Sequence, residues 1–138
     1  DWNGCNKKRL VKNTKIESGK INSIKDIAED KIKAANALAD VHYYGKITLL
    51  YDALRELLEC LALYNGYKIY NHECYTAFLK EIIDESNLGD EFDKLRILRN
   101  GINYYGRKIN REEGLEIVKK MVVFINKIDL IVKQNNKK

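Results

Sequence analysis

The chain of 138 residues contains no proline. Proline ends helices because it lacks the N–H donor and clashes with the carbonyl four residues back. Its absence, with apolar residues recurring every three or four positions and few strand-like alternations, predicts helices throughout. A first long helix is expected after Ser23, paired weakly with Asp26 as a cap. Its apolar stripe is Ile24, Ile27, Ala28, Ile32, Ala35, Leu38 and Ala39. A second is expected from about Tyr44 to Asn65, with Ile47, Leu50, Tyr51, Leu54, Leu57, Leu58 and Leu61 on so broad a face that it reads as the central helix. Asn65-Gly66 stops it.

A third helix is expected from His72 to Ser86, then a turn at Asn87-Leu88-Gly89-Asp90, and a fourth helix from about Glu91 to Tyr105 that Gly106 breaks. Asn110, with Glu113 three residues on, is an N-cap signal for a last helix carrying Leu115, Val118, Met121, Val122, Ile125, Ile128 and Val132. The polar tail Gln134 to Lys138 is expected to fray. Short connections between long amphipathic helices imply antiparallel neighbours. The expected fold is therefore all-α, an antiparallel up-and-down bundle of about five helices. Residues 1–22 read as a basic, partly flexible arm with a short helical turn near Leu10 and Val11, and 23–138 as a single helical domain.

No apolar run approaches the roughly 18–20 residues a membrane span needs, and the polar first nine residues lack the core of a secretory signal. Three cysteines, Cys5, Cys60 and Cys74, form an odd set without a CxxC pair, which suits a reduced, cytoplasmic chain.

Charge is uneven along the chain. Residues 1–25 carry 7 Lys/Arg against 2 Asp/Glu, residues 26–93 carry 6 against 14, and residues 94–138 carry 12 against 4. Basic ends and an acidic middle fit a phosphate-bearing partner, an acidic protein surface or simply a solvated lysine face. The arginines are more pointed. Only six of the 25 basic residues are Arg, and four of these, Arg96, Arg99, Arg107 and Arg111, fall within sixteen residues. Arg presents a planar fork that grips phosphate or carboxylate with two bonds, which Lys does not.

On the fourth helix Leu95, Leu98, Ile102, Tyr105 and Ile109 share one side, and Arg96, Arg99, Asn100, Asn103 and Arg107 cluster opposite, with Tyr104 on their rim. Such a donor-rich row suits phosphate oxygens or base edges. An ordinary solvated face, or arginines paired with the acidic stretch inside a dimer, is the competing reading. His72 and Cys74 have H-x-C spacing without a second pair, so a capping or packed histidine is favoured over a ligand. Asp52, Glu56 and Glu59 form a stripe better read as solvated or ion-paired than as a magnesium site. Neither a P-loop nor a GxGxxG is present, and neither metal nor cofactor is implied.

The stretch Leu95-Arg96-Ile97-Leu98-Arg99-Asn100-Gly101-Ile102-Asn103-Tyr104-Tyr105-Gly106 resembles the motif helix of the HEPN (higher eukaryotes and prokaryotes nucleotide-binding) domain family. Tyr51-Asp52-Ala53-Leu54-Arg55-Glu56 resembles that family's central helix, and Asn65-Gly66-Tyr67-Lys68 followed by His72 resembles its mid-chain turn. The likeness extends loosely over residues 23–133, with Arg99-Asn100 its most diagnostic part. It implies a small helical bundle that forms a homodimer, in a family rich in metal-independent ribonucleases, toxins of toxin–antitoxin pairs and defence effectors. The family's nuclease motif is Arg, a polar residue, three or more others, then His.

Carried over, Arg99 and Asn100 match, and Tyr104 stands at the histidine position. A phenol of ordinary pKa about 10 is a poor general base, although it can hydrogen-bond and stack on a base. The tyrosine that some of these toxins carry two residues further on, where a nucleotidyltransferase attaches AMP, is Gly106 here. Three functional expectations follow. The first is a module that binds RNA or nucleotide through Arg96, Arg99, Asn103 and Arg107. The second is a metal-independent ribonuclease in which Arg99, Asn100 and Tyr104 would be catalytic, or His72 would replace the missing base. The third is a non-catalytic dimerisation module of a nucleotidyltransferase.

Overall fold

The structure, a computed structural model, describes residues 1–136. Its elements are α1 (Trp2–Lys7), β1 (Val11–Asn13), α2 (Ser18–Ala37), α3 (Tyr43–Tyr64), β2 (Tyr67–Ile69), α4 (His72–Ala77), α5 (Ser86–Tyr105) and α6 (Arg111–Asn136). The result is a helical bundle with one small two-stranded sheet. No helix among the described residues is long and apolar enough to cross a membrane.

α3 is the axis of the bundle, as its wide apolar face predicts. Leu50, Tyr51, Leu54, Leu57, Leu58 and Leu61 are all fully buried. Each such leucine contributes about 2 kcal/mol of transfer free energy, offset by the conformational entropy of ordering the chain. α2 and α6 both pack along α3. α2 reaches α3 closely because its fully buried positions include Ala28 and Ala35. Lys46, itself buried, donates from Nζ to the Ala35 carbonyl at 2.9 Å, which also accepts the Leu38 N–H at 3.3 Å, so a cation from α3 sits at the negative end of the α2 dipole.

Several expected boundaries move. α2 begins at Ser18, and the Ser23 hydroxyl bonds back to the Gly19 carbonyl at 3.0 Å inside the helix instead of capping it. Ile27, expected in the buried stripe, is 51% exposed. The expected turn Asn87–Asp90 is the first part of α5. It is helical because Leu88 and Gly89 are buried there, and a Cβ on Gly89 would lie 2.6 Å from Lys80 Cγ. The third helix is shorter than expected as an α-helix: α4 runs into a wider π turn over Phe78–Ile82. Asn110 caps α6 as expected, accepting the Glu113 N–H at 2.8 Å. Gln134 and Asn135 continue α6, while the expected fraying of Lys137 and Lys138 lies outside the described residues.

The N-terminal segment departs most from expectation, since the chain folds back where a loose arm is expected. In place of a helical turn, the Leu10 carbonyl accepts the Tyr70 N–H at 2.8 Å and Val11 opens β1, which pairs antiparallel with β2 in the register Val11↔Ile69 and Asn13↔Tyr67. Gly66, at φ +83°, makes the reversal that leads into β2. Trp2 stacks edge-on against Tyr67 with centroids 5.1 Å apart and tilts against Phe78 at 5.8 Å. Cys5 and Cys74 form a disulfide that ties α1 to α4, which corrects the expectation of reduced cysteines. Cys60 alone is free; it is buried and its Sγ faces the Ile21 carbonyl at 3.5 Å. Burial pushes its thiol up to about 12, so it packs as a small hydrophobe.

Candidate nucleic-acid interface

α5 is anchored at its start and free at its end. Its fully buried residues, Leu88, Gly89, Phe92 and Leu95, all lie in its first half. Leu98 and Ile102 are partly buried, and the helix stops where Gly106, at φ +62°, provides a left-handed C-cap. Tyr105, expected on the core side, is 83% exposed. Its helical angle is inward, but the last turn of α5 has moved off the core. The linker after it is held by tyrosines of α3: Tyr43 and Tyr44 both donate to the Ile109 carbonyl, at 3.1 and 3.2 Å, and the Ile109 N–H donates to Tyr44 Oη at 2.9 Å.

Arg99 occupies the centre of the candidate face. Its guanidinium carbon lies 4.9 Å from the Tyr51 ring centroid and 5.3 Å from that of Tyr104. Nη1 donates to the Tyr104 hydroxyl at 3.1 Å. Nε is buried and has no hydrogen-bond partner, and Arg99 makes no ion pair among the described residues. An arginine held by two aromatic rings, with no carboxylate on it, keeps its charge and part of its donor edge for another acceptor.

Arg99 opens onto a shallow hollow of about 730 Å³ lined also by Asn103, Tyr104, Arg107 and Lys108, together with Tyr44, Ile102 and Gly106. Three cations and no carboxylate line it. Asn103, Tyr104 and Arg107 are exposed, and Arg107 Nη2 is 3.6 Å from Glu113 Oε2. The hollow thus gathers Arg99, Asn103, Tyr104 and Arg107 of the residues singled out from sequence. Arg96 is elsewhere: it pairs with Asp93 at 2.8 Å and lies 3.9 Å from Glu73, so its charge is largely committed. Asn100 is half-buried and does not line the hollow.

Sequence reasoning offered His72 only as a replacement base and did not connect α5 with Tyr51 or Arg55. The Tyr51 hydroxyl is 3.4 Å from His72 Nδ1. Burial raises the Tyr51 phenol above its ordinary value against the opposing pull of Arg99, Arg96 and Arg55. Burial, followed by the same cations with Arg55 first, lowers His72 below its ordinary 6.5. His72 is thus neutral at pH 7, a form that can donate or accept. The only available signals were that Tyr51 and Arg55 lie one turn apart on one helix, and that His72 opens the next.

The weaker candidates resolve differently. Cys74 is in the disulfide and cannot join His72 as a ligand pair. Glu56 and Glu59 pair with Lys31 at 2.6 Å and Lys68 at 3.0 Å, and Asp52 lies 3.9 Å from Lys31, so lysines from α2 and β2 occupy the acidic stripe. Among the described residues no three His, Cys, Asp or Glu side chains are grouped to hold a metal. A second hollow of about 650 Å³ between α5 and α6 is lined by the apolar Leu95, Ile97, Leu98 and Val123 together with charged side chains of both helices. Comparison with family models and with curated proteins finds no match to this chain.

Proposed function

We propose that this bundle binds single-stranded RNA or a nucleotide through the Arg99 face of α5. The observation that carries the reading is Arg99 itself: ring-stacked, buried at Nε without a partner, and opening onto a carboxylate-free hollow with Arg107 and Lys108. In this reading Arg99 and Arg107 take phosphate oxygens, Asn103 reaches sugar or base edges, and exposed Tyr104 stacks on a base. The resemblance to HEPN domains supports the same conclusion and adds a homodimer in a toxin–antitoxin or defence setting, with the nuclease motif degenerate at Tyr104. A cytoplasmic setting belongs to the proposal as well. Reducing cytosols generally keep thiols free, so the redox state of Cys5 and Cys74 in cells is the measurement that decides it.

The test is fluorescence anisotropy with a labelled mixed-sequence RNA across a salt series. Wild type should bind more tightly than the non-specific range of about 10⁻⁴–10⁻⁶ M and weaken steeply with salt. Arg99→Lys keeps the charge but loses the fork, and should weaken binding about tenfold or more. Wild-type binding no tighter than the non-specific range overturns the reading.

A metal-independent ribonuclease is the second reading, favoured by the neutral His72 beside the Tyr51–Arg99 stack. Cleavage of the same RNA by metal-stripped wild type but not by Arg99→Ala would establish it. Equal cleavage by both would expose a contaminating nuclease.

A further inference from the structure

Arg99 has two sides. One faces the hollow with Arg107 and Lys108. The other lies on Tyr51, and around Tyr51 stands a second set of donors that α5 does not supply. Arg55 is one turn along α3 on the face that carries Tyr51. His72 is 3.4 Å from the Tyr51 hydroxyl. Arg96, from α5, borders this set but is committed to Asp93 and to Glu73, the residue after His72. Arg55, like Arg99, makes no ion pair among the described residues. Arg55 and Arg99 are both close enough to depress the proton affinity of His72. Two unneutralised guanidinium groups and a histidine, each half-buried and gathered about the Tyr51 ring, are an arrangement that an anion would stabilise.

The Arg99 fork points to the same answer. Nη1 is committed to Tyr104, whereas Nε is buried and partnerless and no hydrogen bond engages Nη2 among the described residues. Nη2 is thus the donor of the Arg99 fork left open to a phosphate oxygen.

We infer that the phosphate-binding site continues past Arg99 to Arg55 and His72, and so takes two successive phosphates of a single strand in preference to the one phosphate of a mononucleotide. One phosphate lies on the Arg107–Lys108 side and the next on the Arg55–His72 side, with Arg99 between them. The inference rests on the RNA reading of α5 and names its ligand class.

The experiment measures anisotropy of a fluorescein-labelled single-stranded hexaribonucleotide at pH 7.5 over a salt series, with uridine monophosphate as competitor. Urea unfolding first establishes that each variant is folded. Losing one phosphate contact lowers the steepness of log K against log salt by about 0.7 for a single strand. Arg55→Gln should lower it by that amount, Arg55→Lys should restore it, and Arg107→Gln should lower it from the other side. His72→Gln should weaken binding several-fold with the slope unchanged, since a neutral imidazole releases no counterion. Uridine monophosphate should compete more than tenfold less well than unlabelled hexanucleotide.

An unchanged slope in Arg55→Gln, with a reduced slope in Arg107→Gln, would overturn this inference and leave the α5 reading standing. Equal competition by the mononucleotide would also overturn it. No salt-dependent binding by wild type would remove the α5 reading itself.

Discussion

The guanidinium carbon of Arg99 lies 4.9 Å from the ring centroid of Tyr51, which is itself fully buried on the central helix. Tyr51 is in turn stacked on Phe92, with centroids 6.5 Å apart, so the ring beneath the arginine is fixed by the core. A desolvated cation–π contact contributes about 2 kcal/mol and covers the face of the guanidinium, leaving its edge for hydrogen bonds. The arginine is therefore pre-positioned, and less side-chain entropy remains to be lost when a ligand is gripped.

His72 should make stability depend on pH. Its folded pKa lies below the unfolded value of 6.5, because burial and then Arg55, Arg99 and Arg96 disfavour its charged form. Above pH 6.5 both states are neutral at this residue and the contribution is present in full. As pH falls from 6.5 through the folded pKa, the unfolded chain takes up the proton first and that stability is lost. Tm measured from pH 8 down to pH 5 should fall more steeply in wild type than in His72→Gln below pH 6.5. Parallel profiles would show that the histidine carries no such shift.

The Cys5–Cys74 bridge closes a loop of 69 residues in sequence separation. By the chain-entropy account a loop of that size contributes roughly 4 kcal/mol through the unfolded state. Urea unfolding with and without reductant should show a loss of about 3–4 kcal/mol, and Cys5→Ser/Cys74→Ser should match the reduced protein. Unreduced, denatured protein should alkylate at one thiol, Cys60. Three labelled thiols would refute the bridge.

Glu113 sits in the first turn of α6 and 3.6 Å from Arg107, with both side chains about half exposed. A surface pair of this kind, with its small helix-dipole benefit, is worth about 1 kcal/mol or less. Glu113→Gln should therefore cost at most that in urea unfolding. RNA affinity should rise two- to five-fold, because the substitution frees Arg107 and removes a negative charge beside the hollow. A fall in affinity would place the carboxylate among the ligand contacts.

The sequence determined what one or two helical turns can encode. The axial helix around Leu50–Leu61, the Asn110 cap, the stop at Gly106 and the concentration of arginine near Arg99 all follow from spacing and side-chain chemistry within a short segment. Only tertiary structure decided which distant segments meet. The ordering of Trp2 to Asn13 depends on β2 and on Tyr67, Cys74 and Phe78, far along the chain, and no local pattern announces that pairing. The exposure of Tyr105 depends on where α5 leaves the core, which a helical wheel cannot show because it fixes an angle and not a neighbour. The same holds for the candidate site. Arg99 and Arg107 were legible as near neighbours in sequence, although Arg107 lies in the linker past the Gly106 cap and not on the fourth helix as its spacing suggested. Arg55 and His72 stand beside Arg99 only because Tyr51, on a different helix, carries the ring on which Arg99 rests.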